Sequence, residues 1–125
     1  MAGGLLALPA TMPAASASVR PGIYPCTLTA NYPRESSSVV GASGSLSCSG
    51  EDTIYVTVCL EQLVTGGWQQ VVGSCSTSPT VYSTYISTAG KSYVATCGRY
   101  YRTRASGYDD GDTGTVVSSG YQGCT

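Results

Sequence analysis

Apolar and polar residues alternate along most of this chain with a period of two, the repeat of a half-buried strand, not the 3.6 of a helix. The clearest stretch is 53–64. Ile54, Val56, Val58 and Leu60 fall on one face, and Tyr55, Thr57, Cys59 and Glu61 on the other. A helix cannot gather that set on one side. Shorter alternations predict strands over 23–30, 39–49, 68–76, 80–88, 92–97, 99–107 and 115–124. Residues that favour turns separate them: the polar run 31–38 with Pro33 and three consecutive serines, Glu51-Asp52, Thr65-Gly66-Gly67, Ser78-Pro79, Ala89-Gly90-Lys91, and the acidic run 109–114.

Seven to eight short strands with no helical segment between them leave no crossover for a parallel sheet, so the pairing is expected to be antiparallel. The expected fold is all-β: an antiparallel β-sandwich of immunoglobulin-like architecture, or a small barrel. The immunoglobulin signature itself is missing, because Trp68 lies 20 residues after Cys48.

Six cysteines sharpen that picture. Cys26, Cys48, Cys59, Cys75, Cys97 and Cys124 contain no C-x-x-C pair, and the chain has no His to complete a zinc site. Three disulfides in an oxidising compartment are the expectation. In an antiparallel hairpin, paired residues are equidistant from the turn. Cys59 and Cys75 centre on Gly67, Cys97 and Cys124 between Asp110 and Gly111, and Cys26 and Cys48 on Ser37. Each midpoint falls in a turn predicted from other residues. The expected bridges are therefore Cys26–Cys48, Cys59–Cys75 and Cys97–Cys124; a bridge between sheets such as Cys48–Cys97 is the competitor.

Export is also written at the N-terminus. Residues 2–12 form a short apolar run, and Ala15-Ser16-Ala17 is a small-residue cleavage site. Residues 1–17 are expected to be a signal peptide, lacking at its start the usual basic residue, and 18–125 a single secreted domain. The alternative is a flexible Ala/Ser/Pro tail. No stretch is long and apolar enough for a membrane-spanning helix.

Composition narrows the function. Charged residues make up 10% of the chain, against roughly 25% in an average domain, and the net charge is −1. No general attraction to nucleic acid follows. With no His, a hydrolytic triad lacks its usual base. The carboxylates Glu35, Glu51, Asp52, Glu61, Asp109, Asp110 and Asp112 all fall in predicted turns or on exposed strand faces, which argues against a carboxylate-pair hydrolase. The turn Asp109-Asp110-Gly111-Asp112 offers clustered oxygens to calcium, but reads more simply as a solvated hairpin. No enzyme activity, metal or cofactor is expected.

The most distinctive run is Arg99-Tyr100-Tyr101-Arg102-Thr103-Arg104-Ala105. Alternation turns Tyr101, Thr103 and Ala105 inward, with Tyr101 placed like the tyrosine corner of sandwich proteins. It turns Tyr100, Arg102 and Arg104 outward as an aromatic and cationic stripe. That stripe is the candidate binding site; an ordinary solvent face with Arg stems covering the sheet is the plainer alternative. Tyr24, Tyr32, Tyr55, Tyr82, Tyr85, Tyr93, Tyr108 and Tyr121 add little, since with no Phe the core must also draw on Tyr.

Across residues 48–124, Val-Cys-Leu-Glu at 58–61, Gly-Gly-Trp at 66–68 and Tyr-Tyr-Arg-Thr-Arg-Ala at 100–105 resemble small secreted disulfide-containing β-proteins of high-GC, actinomycete-type bacteria. Those proteins have no known function, so the resemblance implies export and a β-fold and supplies no catalytic residue. The expectation is a secreted, monomeric, non-enzymatic binding module for an extracellular protein or glycan. A protease inhibitor presenting loop 77–80 or 31–38, and a structural cell-surface protein, are the alternatives.

Overall fold

The computed structural model describes residues 15–19 and 25–124. Among these the chain is all-β and antiparallel, as its alternation requires, with no helix. In chain order the strands are β1 (Ala15–Val19), β2 (Cys26–Ala30), β3 (Arg34–Ser36), β4 (Val39–Gly41), β5 (Ser43–Val64) and β6 (Gly67–Gln70). After them come β7 (Ser76–Thr77), β8 (Val81–Ala89), β9 (Tyr93–Val94), β10 (Tyr100–Asp109), β11 (Asp112–Val117) and β12 (Tyr121–Gln122). The expected cleavage after Ala17 falls inside β1, which pairs with β2 from Ala15↔Ala30 to Val19↔Cys26. Residues 1–14 of that expected signal lie outside the described residues.

The 22-residue β5 organises everything else. Glu51-Asp52 was expected to reverse the chain; instead β5 runs through it and bends, with a register irregularity between Ser47 and Asp52. On one side, β2 pairs with its first part and β10 with its second, in the order β11-β10-β5-β2-β1. The other side carries β8, β7 and β6 in succession. The bend folds the first half over the second, so one curled sheet makes both layers of a half-barrel sandwich. The fit is close: a Cβ on Gly44 would sit 3.1 Å from Val58 and 3.2 Å from Ala105, and one on Gly107 3.1 Å from Leu28. Leu28, Leu46, Ile54, Val56, Val58, Leu60, Tyr101 and Ala105 fill the space between, each with 0% exposure.

All three sequential disulfides are formed, with Cα–Cα separations of 3.9, 4.0 and 4.8 Å. The hairpins they close are less simple than the midpoint argument supposed. The 31–38 run is not an open loop: β3 and β4 pair about Ser37-Ser38, both at positive φ (53° and 67°), and β4 also pairs with β9. In the second, the turn is Thr65-Gly66, and Val71 to Gly73 interrupt the return strand, which regains β5 at Ser76. The third turns about the expected midpoint, through the two-residue turn Asp110-Gly111 with φ of 47° and 99°, the mirror-image geometry that matches strand twist, but its return strand is broken between Val117 and Tyr121.

Where the return strands break, buried serines take over the ladder. The Ser74 hydroxyl accepts the Leu60 N–H at 3.0 Å and donates to the Leu60 carbonyl at 3.2 Å. Ser78 accepts the Val56 N–H at 3.0 Å, and Ser118 the Thr103 N–H at 2.9 Å. Each side chain substitutes for a missing strand neighbour, so the buried donors stay satisfied.

Candidate functional site

β10 alternates as the sequence indicated: Tyr101, Thr103 and Ala105 are buried, and Tyr100, Arg102 and Arg104 lie on the outer face. The Tyr101 hydroxyl accepts the backbone N–H of Thr96 at 2.8 Å, five residues upstream, as a tyrosine corner does. That bond anchors the start of β10 and thereby fixes the register of the stripe.

Neighbouring strands complete the face. Register sets Arg102 opposite Glu61 and Arg104 opposite Cys59 on β5, while β6 sets Trp68 opposite Leu63. Arg102 Nε donates to Glu61 Oε1 at 2.7 Å, and its guanidinium lies 4.4 Å from the centre of the Trp68 ring. The cation is thus held between a carboxylate and an aromatic face. Arg104 has no ion pair among the described residues. At the edge of the patch Tyr100 is 43% and Leu63 41% exposed. Gly120 lies against both Trp68 and Tyr100, where a Cβ would stand 3.5 Å and 3.7 Å from their rings. Tyr32 donates to the Gly120 carbonyl at 3.4 Å, and burial, then the neighbouring Tyr100 phenol, raises its pKa. Further along, Tyr55 and Tyr108 stack at 4.7 Å.

The structure therefore brings Tyr100, Arg102 and Arg104 onto one face and adds Trp68, Leu63 and Glu61. The Gly-Gly-Trp that follows the turn was visible in the sequence, but its approach to Arg102 needs two registers at once, β6 on β5 and β5 on β10.

The carboxylates correct the sequence reading in part. Asp52, Glu61 and Asp109 are buried, at 6%, 9% and 0% exposure, instead of lying on solvent faces. Glu61 is covered through its pairing with Arg102. Asp52 and Asp109 sit on the inner phase of β5 and β10, with Cys26 and Cys48 beside them. Those two sulfurs and an Asp109 oxygen lie within 4.8 Å of one another, but the cysteines are bonded to each other and are not free to ligate a metal.

Neither proposed inhibitor loop is a free, extended segment. Ser78 is buried and tied to Val56, and Glu35 accepts hydrogen bonds from the Tyr121 hydroxyl at 2.7 Å and the Cys124 N–H at 2.8 Å.

No family model and no curated protein matches the chain. Among solved structures, the fold is similar to the solution structure of R. palustris CsgH, with a TM-score of 0.50 and 8% identity over 74% of this chain and 91% of that one. At that identity the likeness is one of fold: a small antiparallel β-protein.

Proposed function

We propose that this protein is an exported, non-catalytic binding module whose contact surface is the outer face of β10 with Trp68, and that it takes an acidic extracellular glycan. The stacking of Arg102 on Trp68, locked by Glu61, carries this reading. It holds a flat aromatic and cationic surface rigid before any ligand arrives, which lowers the ordering cost of binding. Tyr100 extends the ring surface for stacking on sugar faces, and Arg104, which has no ion pair among the described residues, supplies a charge for a carboxylate or sulfate. Three disulfides suit an oxidising compartment.

A glycan array with the parent protein, Trp68→Ala, Arg102→Ala/Arg104→Ala, and Tyr85→Ala on the other half of the sandwich tests it. Acidic glycans should bind the parent and Tyr85→Ala, and lose most of their signal with the other two. Equal signals from all four proteins, or no glycan bound by the parent, overturns the reading.

A further inference from the structure

Two carboxyl groups at the bent end of the sandwich are left unexplained by that binding face. Asp52 follows the irregular segment of β5, and Asp109 is the last residue of β10 before the Asp110-Gly111 turn. Both are more than nine-tenths buried. Asp52 Oδ2 and Asp109 Oδ1 have no ordinary hydrogen-bond donor, which two ionised carboxylates could not tolerate at such depth. The ladder sets Asp109 opposite Ile54, two residues past Asp52 on the same inner face, so both carboxyls lie in one buried space, and a bond between two carboxyls needs a proton on one of them. Asp109 Oδ2 also lies 3.1 Å from Cys26 Sγ, and a disulfide sulfur has no hydrogen to give.

Among the described residues, none supplies a compensating charge to the pair. β2 contributes Cys26, and β5 contributes Cys48 and the exposed Glu51. β8 sets Ser83 opposite Asp52, and the turn and β11 add the carboxylates of Asp110 and Asp112. Among the described residues no cation pairs with Asp52 or Asp109. The described charges that act on Asp109, those of Asp52, Asp110 and Asp112, are all negative.

We propose that Asp52 and Asp109 share one proton and form a pH-sensitive latch, closed in mild acid, that ties the bend of β5 to the β10–β11 hairpin over the Cys26–Cys48 bridge. Losing that proton puts a second negative charge into the same buried space and drives the hairpin end away from the bend. The backbone bond from Asp110 N–H to the Thr53 carbonyl, 3.0 Å, is the contact most directly released. Burial first, then the Asp52 hydrogen bond and charge and the nearby Asp110 and Asp112, raise Asp109 to about 6, which sets the opening range. The sign follows. Asp109 has a higher pKa folded than unfolded, so its contribution is complete below about pH 4 and is lost as pH rises through about 6. Folding at pH 5 takes up roughly 0.8 proton at this site.

Thermal unfolding of the disulfide-intact protein from pH 4 to 8 tests the latch, with Asp109→Asn and Asp52→Asn measured beside the parent. Each amide stays neutral and can donate to the remaining carboxylate. The parent should lose melting temperature between pH 5 and 7, and both variants should show a markedly flatter profile. Hydrogen exchange at the Asp110 amide, corrected for intrinsic rates, should lose protection over the same range in the parent alone. If one variant fails to fold, the other and the parent's exchange profile decide. A parent profile that is flat or rises through pH 5–7, or variants that keep the parent's slope, overturns the proposal. The outcome is independent of glycan binding.

Discussion

The buried serines offer a sharp test of how this fold tolerates a broken ladder. In Ser78→Ala the Val56 N–H loses the hydroxyl it donates to at 3.0 Å, and Val56 itself has 0% exposure, so water cannot replace the acceptor. Ser118→Ala does the same to Thr103, also fully buried. The methyl group of Ala occupies nearly the volume of the hydroxymethyl, so a cavity contributes little, and the orphaned donor is the main loss. That loss is about 1–3 kcal/mol per site. For a domain of this size it lowers the melting temperature by roughly 4–10 °C. Ser106→Ala is the control: its hydroxyl only meets the Thr115 hydroxyl at 3.2 Å on an exposed face, and the expected cost is within about 0.5 kcal/mol. Calorimetric melts of the oxidised proteins measure all three. If Ser78→Ala and Ser118→Ala both melt with Ser106→Ala, the serines do not act as strand substitutes.

Other consequences are as concrete. Gly44→Ala would place its Cβ 2.7 Å from the Thr29 carbonyl oxygen, which is backbone and cannot swing away, so denaturant titration should show a loss of more than about 2 kcal/mol or no folding. Tyr101→Phe should cost about 1 kcal/mol by stranding the Thr96 N–H, measured by the same titration, while leaving glycan binding weakened by a looser β10. Each disulfide closes a loop of 16–27 residues and contributes roughly 3 kcal/mol in the chain-entropy account, so reduction should abolish the cooperative melt. A reduced sample melting near the oxidised temperature would contradict that.

Much of this fold is legible because alternation and turn chemistry are local. The burial of Tyr101, Thr103 and Ala105, the turn at Asp110-Gly111 and the sequential pairing of the cysteines each follow from residues close in sequence. The largest departure has one cause: β5 continues through Glu51-Asp52. Two polar, acidic residues in succession read as a turn, and only the long-range pairing with β2, β8 and β10 keeps them in a strand. The same irregularity moves the phase of β8. Alternation put Tyr82 and Tyr85 on opposite faces, yet both are exposed, at 70% and 54%, because Thr84 absorbs an extra step opposite the bend. Ser78 was readable as a turn residue and Ser74 and Ser118 as strand residues, but none of them as a buried acceptor, since the donors they serve lie 14 to 22 positions away.

The bend also explains why one short chain has both a rigid face and a site that can loosen. Past the bend, β5 is flanked by β10 on one side and by β6 and β7 on the other. Arg102 thus has a carboxylate and a ring from two separate strands, and the platform is fixed by pairing on both sides. At the bend the ladder is interrupted, and among the described residues the closing contacts include the Cys26–Cys48 disulfide, the backbone bonds Ser49–Pro25 and Asp110–Thr53, and the carboxyl pair. Rigidity follows the ladder, and the response to pH follows its interruption. Loosening the end nearest Asp109 leaves Arg102 seven residues away along β10, beyond the Tyr55–Tyr108 stack and the Ser106–Thr57 row. Glycan affinity should therefore change little between pH 5 and 7, even as the melting temperature falls; parallel binding isotherms would show it, and a steep loss of affinity over that range would mean the two ends are coupled.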